Sequence, residues 1–212
     1  MLSRTFHDED LYHPSRRNSL SIPDCFSVTK IYITRHGETV WNTETRMQGR
    51  NNSPLTKKGI STALNLGKTM DIKPDICLVS PMPRALHTAH LIRKGSGLDY
   101  RIEVEPLLEE MSLGSWEGLR APDVAKTFPE EFIRFRTRPH EFIPVESGET
   151  FFDVYNRAER LISKVKERYE GTVLLVSHMI LVQAALCVVE SNDVSHLREH
   201  DPIEQAKLYT LS

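Results

Sequence analysis

In three places this chain of 212 residues puts nitrogen bases or cations directly after a short apolar run. Ile31-Tyr32-Ile33-Thr34 runs into Arg35-His36-Gly37. Ile76-Cys77-Leu78-Val79 runs into Ser80-Pro81, with Arg84 just beyond. The run from 172 to 176 ends in Ser177-His178, and a fourth stretch sets Glu109-Glu110 ahead of Leu113-Gly114-Ser115-Trp116-Glu117-Gly118. Two guanidiniums, two imidazoles and a carboxylate share one use. Arginine forks match phosphate oxygens in pairs. A neutral imidazole can attack phosphorus and carry it covalently. A carboxylic acid can protonate the departing oxygen and then, as carboxylate, activate water. Fixed cations stabilise the charge on the equatorial oxygens of the transferring group. Taken singly, Arg35-His36 also fits a strand end with a solvated cation and a satisfied ring.

These residues need elements that bring them together. The apolar runs are rich in β-branched residues and read as buried strands, whose carboxyl ends are where α/β proteins bind ligands. Gly37 allows close approach of backbone or ligand. Turn residues Asn51-Asn52-Ser53-Pro54 lead to a helix with Thr56 as N-cap. A second helix is expected over 83–93, with Arg84 in its first turn. The helix dipole is positive there, so a cation at that point makes sense beside a bound anion. A strand is expected over 102–108, irregular chain with Phe-rich turns around Phe128, Phe132 and Phe135 over 121–146, and the longest helix over 151–169 with Gly171 as its cap. A strand over 172–176, a helix over 179–189 and an edge strand over 206–211 complete an α/β layered domain.

Bulk properties exclude several classes. A net charge of −2 lacks the basic stripe of a nucleic-acid binder. No apolar run reaches the roughly 18–20 residues that cross a bilayer, so no membrane partner is expected. Cys25, Cys77 and Cys187 are far apart and odd in number, which fits free thiols in a reducing, cytoplasmic setting. Residues 1–28 show no sustained period and are expected to be a mobile tail ahead of one domain over 29–212. Within the tail, Arg16-Arg17-Asn18-Ser19-Leu20 has the layout basophilic kinases prefer. His196 and His200 have the spacing of a metal-binding helix, but no third ligand accompanies them.

Taken together, Arg35-His36-Gly37-Glu38-Thr39-Val40-Trp41-Asn42, Gln48-Gly49, Ser53-Pro54-Leu55-Thr56, Ser80-Pro81-Met82-Pro83-Arg84-Ala85, Leu108-Glu109-Glu110, Gly114-Ser115-Trp116-Glu117-Gly118, Ser147-Gly148-Glu149-Thr150 and Val176-Ser177-His178 resemble the histidine phosphatase superfamily, the phosphoglycerate-mutase-like branch 1. The resemblance implies a three-layer α/β/α sandwich with a mixed, mostly parallel sheet of about six strands. It implies that His36 is the nucleophile, that Arg35, Arg84 and His178 form the phosphate pocket, and that Asn42 helps hold the phosphate. Glu110 falls at the acid's position, with Glu109 as the fallback. Neither a metal nor a cofactor is implied, and the partner is a small phosphate ester.

Relatives usually carry small residues after the second histidine, whereas Met179 and Ile180 follow His178 here. Bulk there would reshape the pocket without removing a catalytic group. The long insert and the Glu-Arg-His-Tyr-Gly type of segment found in the mutases are missing, which favours hydrolysis over phosphomutase chemistry. A non-catalytic binding module is the third reading, and every catalytic position being filled argues against it. Arg134, Arg136 and Arg138 lie in the segment that caps the pocket in relatives. They either recognise further negative charge or form a solvated turn with Glu130, Glu131 and Glu141.

Overall fold

The structure, a computed structural model, describes residues 29–211; Cys25 and the Arg16–Leu20 motif lie outside them. In chain order the regular elements are β1 (Lys30–Arg35), α1 (Val40–Thr43), α2 (Lys57–Thr69), β2 (Ile76–Val79), α3 (Pro83–Ser96), β3 (Arg101–Val104), α4 (Ala121–Thr127), α5 (Pro129–Thr137), α6 (Phe151–Arg168), β4 (Thr172–Ser177), α7 (Met179–Val189) and β5 (Leu208–Thr210). The sheet order is β3-β2-β4-β1-β5. All neighbours are parallel except β5, which runs antiparallel to β1.

The strands alternate their side chains between two helical layers, as the two-residue period of a strand requires. Ile31, Ile33, Ile76, Leu78, Val173 and Leu175 face a core shared with α6 and α7. Cys77, Val79, Leu174 and Val176 face the other way, onto Leu66 of α2 and Ala85, Ala89 and Ile92 of α3. Both faces of the central strands are therefore covered, which explains why their sequences are unbroken apolar runs.

The sheet has five strands among the described residues, not about six. β3 stops at Val104 instead of continuing to 108, because Pro106 has no N–H for a ladder and opens a 3-10 turn, Pro106–Leu108. β5 spans 208–210 instead of 206–211; Ala206 has φ 50°, a left-handed conformation that a strand cannot hold. The 121–146 segment also departs from expectation, since most of it is helical. Val124, Phe128, Phe132 and Phe135 recur at helical spacing and pack against the main core, and prolines at the first turns of α4 and α5 start both helices.

Local signals elsewhere behave as their chemistry dictates. Thr56 Oγ1 accepts from Gly59 N at 3.0 Å. Thr150 forms a capping box: its Oγ1 accepts from Asp153 N at 3.2 Å while Asp153 Oδ2 accepts from Thr150 N at 2.8 Å. Among the described residues no helix is long and apolar enough to cross a membrane.

Strand register decides what meets at the sheet's carboxyl edge. β1 and β4 pair Arg35 with Ser177, and β2 and β4 pair Val79 with Val176. The next residues along each chain, His36, His178 and Ser80, thus emerge as neighbours. Backbone bonds carry the ladder one step further: His36 N donates to Ser177 O at 2.9 Å and Ser80 N to Val176 O at 3.0 Å.

Candidate active site

Gly37 follows His36 into a space with no room for a side chain. A Cβ there would lie 2.6 Å from the Gly59 carbonyl oxygen. Gly37 N donates to Thr88 Oγ1 at 3.0 Å, and that hydroxyl donates to Arg84 O at 2.8 Å. The exit of β1, the start of α2 and the first turns of α3 are thereby locked together around His36.

His36 is 3% exposed. Its Nδ1 lies 2.8 Å from the Gly37 carbonyl. A carbonyl only accepts, so Nδ1 carries the proton and Nε2 presents a lone pair. Arg84 Nε donates toward that Nε2 at 3.3 Å. Burial first, then the charges of Arg84 and Arg35, hold this imidazole well below its ordinary value of 6.5. The ring is neutral.

His178 is fully buried, its ring centroid 5.1 Å from that of His36 at 61°. Ser80 Oγ sits 2.7 Å from His178 Nε2 and accepts from Met82 N at 3.3 Å. His178 Nδ1 is buried with no protein partner among the described residues. Burial and Arg84 hold this ring, too, well below 6.5.

Arg84, 2% exposed, donates Nη1 to Asn51 O at 2.6 Å and Nη2 to Gly49 O at 2.7 Å. Burial pushes its pKa down to about 10, still far above neutrality. Arg35 donates Nη1 to Ile203 O at 2.9 Å, while its buried Nε has no partner among the described residues. Arg35 Nε and His178 Nδ1 are thus two buried nitrogens at one sheet edge without a partner among the described residues, and a buried orphan polar group is costly unless a ligand completes it.

Glu110 is 8% exposed. Its Oε1 accepts from Met111 N at 3.0 Å and its Oε2 from Ile180 N at 3.4 Å. Burial outweighs these contacts and the two arginines, so its carboxyl titrates above the usual range. Glu109 is different. Its carboxylate pairs with Arg50 at 3.4 Å and is 26% exposed. Asn42 Oδ1 accepts from Thr39 N at 3.0 Å and from Gln205 Nε2 at 3.2 Å; none of the described hydrogen bonds uses its Nδ2.

A cavity of about 220 Å³ joins Arg35, His36, Asn42, Arg84 and Glu110. His178 does not line it but backs the His36 ring. The far wall is apolar, with Met47, Leu113, Phe132, Phe135, Met179 and Ile180. Met179 and Ile180, the residues that follow the second histidine, therefore face the cavity. Of the three arginines near the cap, only Arg136 lines it, pairing with Asp201 at 3.3 Å. Arg134 pairs with Glu130 at 3.3 Å and Arg138 with Glu141 at 2.9 Å, both near the surface.

His196 Nδ1 lies 3.2 Å from Asp193 Oδ1 and His200 Nε2 lies 3.2 Å from Glu190 Oε2. No group of ligands among the described residues is arranged to hold a metal ion. Two residues escaped the sequence reading: Arg46, which lines the cavity and donates to Gly118 O at 2.6 Å, and Arg157, buried in α6. A charged residue on the apolar face of a helix was the available signal for Arg157.

The sequence model of the histidine phosphatase superfamily (branch 1) matches residues 31–212. The chain is 32% identical to the adenosylcobalamin/alpha-ribazole phosphatase of Salmonella typhimurium, over 80% of this chain and 85% of that one. It is 29% identical to phosphoserine phosphatase 1 of Hydrogenobacter thermophilus, over 79% of each. Among solved structures, YhfR of Bacillus stearothermophilus superposes with a TM-score of 0.81 at 35% identity, covering 86% of this chain and 90% of that one.

Proposed function

The chain belongs to the histidine phosphatase superfamily, branch 1, and from that premise we propose that it is a metal-independent phosphomonoester hydrolase acting on small phosphorylated metabolites through a phosphohistidine at His36. The observation that carries this reading is the state of His36. Its ring is neutral, its proton is committed to the Gly37 carbonyl, and its Nε2 lone pair faces Arg84. That is the form in which an imidazole is a nucleophile.

In the first step His36 Nε2 bonds to phosphorus as the ester P–O bond breaks. Glu110, kept protonated by burial, gives its proton to the leaving oxygen. Arg35 and Arg84 hold the equatorial oxygens, the Nδ2 group of Asn42 adds a donor, and His178 backs the His36 ring. In the second step the Glu110 carboxylate takes a proton from water, the water oxygen bonds to phosphorus, and the P–Nε2 bond breaks. Inorganic phosphate leaves with Glu110 protonated again. No step requires a metal.

Hydrolysis of p-nitrophenyl phosphate in EDTA tests the reading. Wild type turns over, and His36→Ala loses on the order of 10³-fold or more in kcat. Acid-labile phosphate is trapped on wild type and not on the variant. Full activity of His36→Ala would refute the assignment. Isomerisation of a phosphoglycerate without net phosphate release would instead make the chain a phosphomutase.

A further inference from the structure

The Ser147-Gly148-Glu149-Thr150 motif takes no part in the steps above, yet Glu149 and Arg157 grip the loop that carries Glu110. Arg157 is 7% exposed. Its Nη1 donates to Leu107 O at 3.2 Å and to Glu109 O at 2.5 Å, and its Nη2 donates to Glu110 O at 3.4 Å. The same Nη2 meets both Glu149 carboxylate oxygens, at 3.2 and 3.0 Å. Glu149 holds the other flank. Its Oε2 accepts from Ser112 N at 2.8 Å, and its backbone N donates to Ser112 O at 2.9 Å. Arg50 closes the network by pairing with Glu149 at 3.3 Å and Glu109 at 3.4 Å.

We propose that Glu149 and Arg157 form a positioning clamp for the general acid, fixing the backbone from Leu107 to Ser112 so that the Glu110 carboxyl meets the leaving oxygen. The inference rests on Glu110 being that acid. Three carbonyls converging on one guanidinium would repel one another without it, and the fork of an arginine reaches all of them together with a carboxylate. A lysine offers one compact charge and cannot span the set. The pairing with Arg50 also ties up Glu109, so that of the two adjacent carboxylates only Glu110 faces the cavity. A misplacement of the acid by about 1 Å is enough to slow a reaction by about 10²-fold.

The test compares p-nitrophenyl phosphate, whose leaving group needs little protonation, with glycerol phosphate, whose alkoxide needs a proton. Arg157→Lys is expected to lower kcat on glycerol phosphate by about 10- to 100-fold with little change in KM, and to lower kcat on p-nitrophenyl phosphate far less. In a Glu110→Gln background the same substitution adds no further loss on glycerol phosphate. Equal losses on both substrates, or no loss on either, would overturn the clamp and leave the pair a purely structural one. Glu149→Gln keeps the acceptor for Ser112 and removes the charge opposite Arg157. It carries the test if Arg157→Lys does not fold, with an expected selective loss of about tenfold; an unselective change there overturns the clamp equally. If Glu110→Gln alone shows no selectivity between the two esters, the reading of Glu110 itself falls, and the clamp with it.

Discussion

The end of the cavity that holds His36 is made of polar side chains tied to backbone atoms, whereas the wall formed by α5 is made of aromatic rings. Around His36, Arg84 is anchored on the carbonyls of Gly49 and Asn51, and the imidazoles on Gly37 O and Ser80 Oγ. Phe132 and Phe135 instead belong to a cluster with Trp116, Phe142 and Phe151, ring centroids 5.3–6.3 Å apart. Directed bonds fix the first region to the precision that phosphoryl transfer needs. Non-directional packing fixes the second, which suits a wall that shapes a leaving group without reacting with it.

Substitutions at the two ends should therefore separate activity from stability. Glu110→Gln is expected to have the largest effect among the groups beside His36, about 10²- to 10⁴-fold on alkyl phosphates. The pH profile gives the sign. The imidazoles are held below 6.5 and so stay neutral as pH falls through that value. The Glu110 carboxyl titrates above its ordinary range. Apart from the substrate's own ionisation, kcat/KM should therefore persist on acidification through 6.5 and decline as pH rises and Glu110 loses its proton. Glu110→Gln should abolish that alkaline decline, and steady-state rates across pH will show it.

Arg84→Lys should follow, with about 10²- to 10³-fold lost in kcat, because an ammonium cannot hold the Gly49 and Asn51 carbonyls and a phosphoryl oxygen together. Phe135→Ala reverses the pattern. Its ring is 3% exposed, and urea unfolding should show about 3–5 kcal/mol of lost stability, while the rate on p-nitrophenyl phosphate changes less than in either preceding variant. Arg138→Ala is expected to do least. Its pair with Glu141 is about half exposed on both sides, so unfolding should shift by no more than about 1 kcal/mol, with no change in rate.

Much of the region around His36 is legible in the chain because each contributor sits in a short-range pattern. Arg35-His36-Gly37 and Ser177-His178 end apolar runs, Arg84 sits in a first helical turn, and Thr56 and Thr150 are caps whose partners lie three residues on. The α5 wall is not legible as helix in the chain because it is held by contacts of Phe132 and Phe135 with Trp116, Phe142 and Phe151, distant in sequence. The three arginines there looked equivalent. Their exposures are similar, and the packing of α5 against the core turns only Arg136 to the cavity.

By itself the sequence determined the order of the strands and of α2, α3, α6 and α7, the ends at which reactive residues emerge and the set of groups able to handle phosphate, because these follow from neighbours along the chain. The tertiary structure decided which of two adjacent glutamates is buried and which arginine faces the cavity. Those outcomes depend on packing and on desolvation by residues far away in the chain, and neither is a local property.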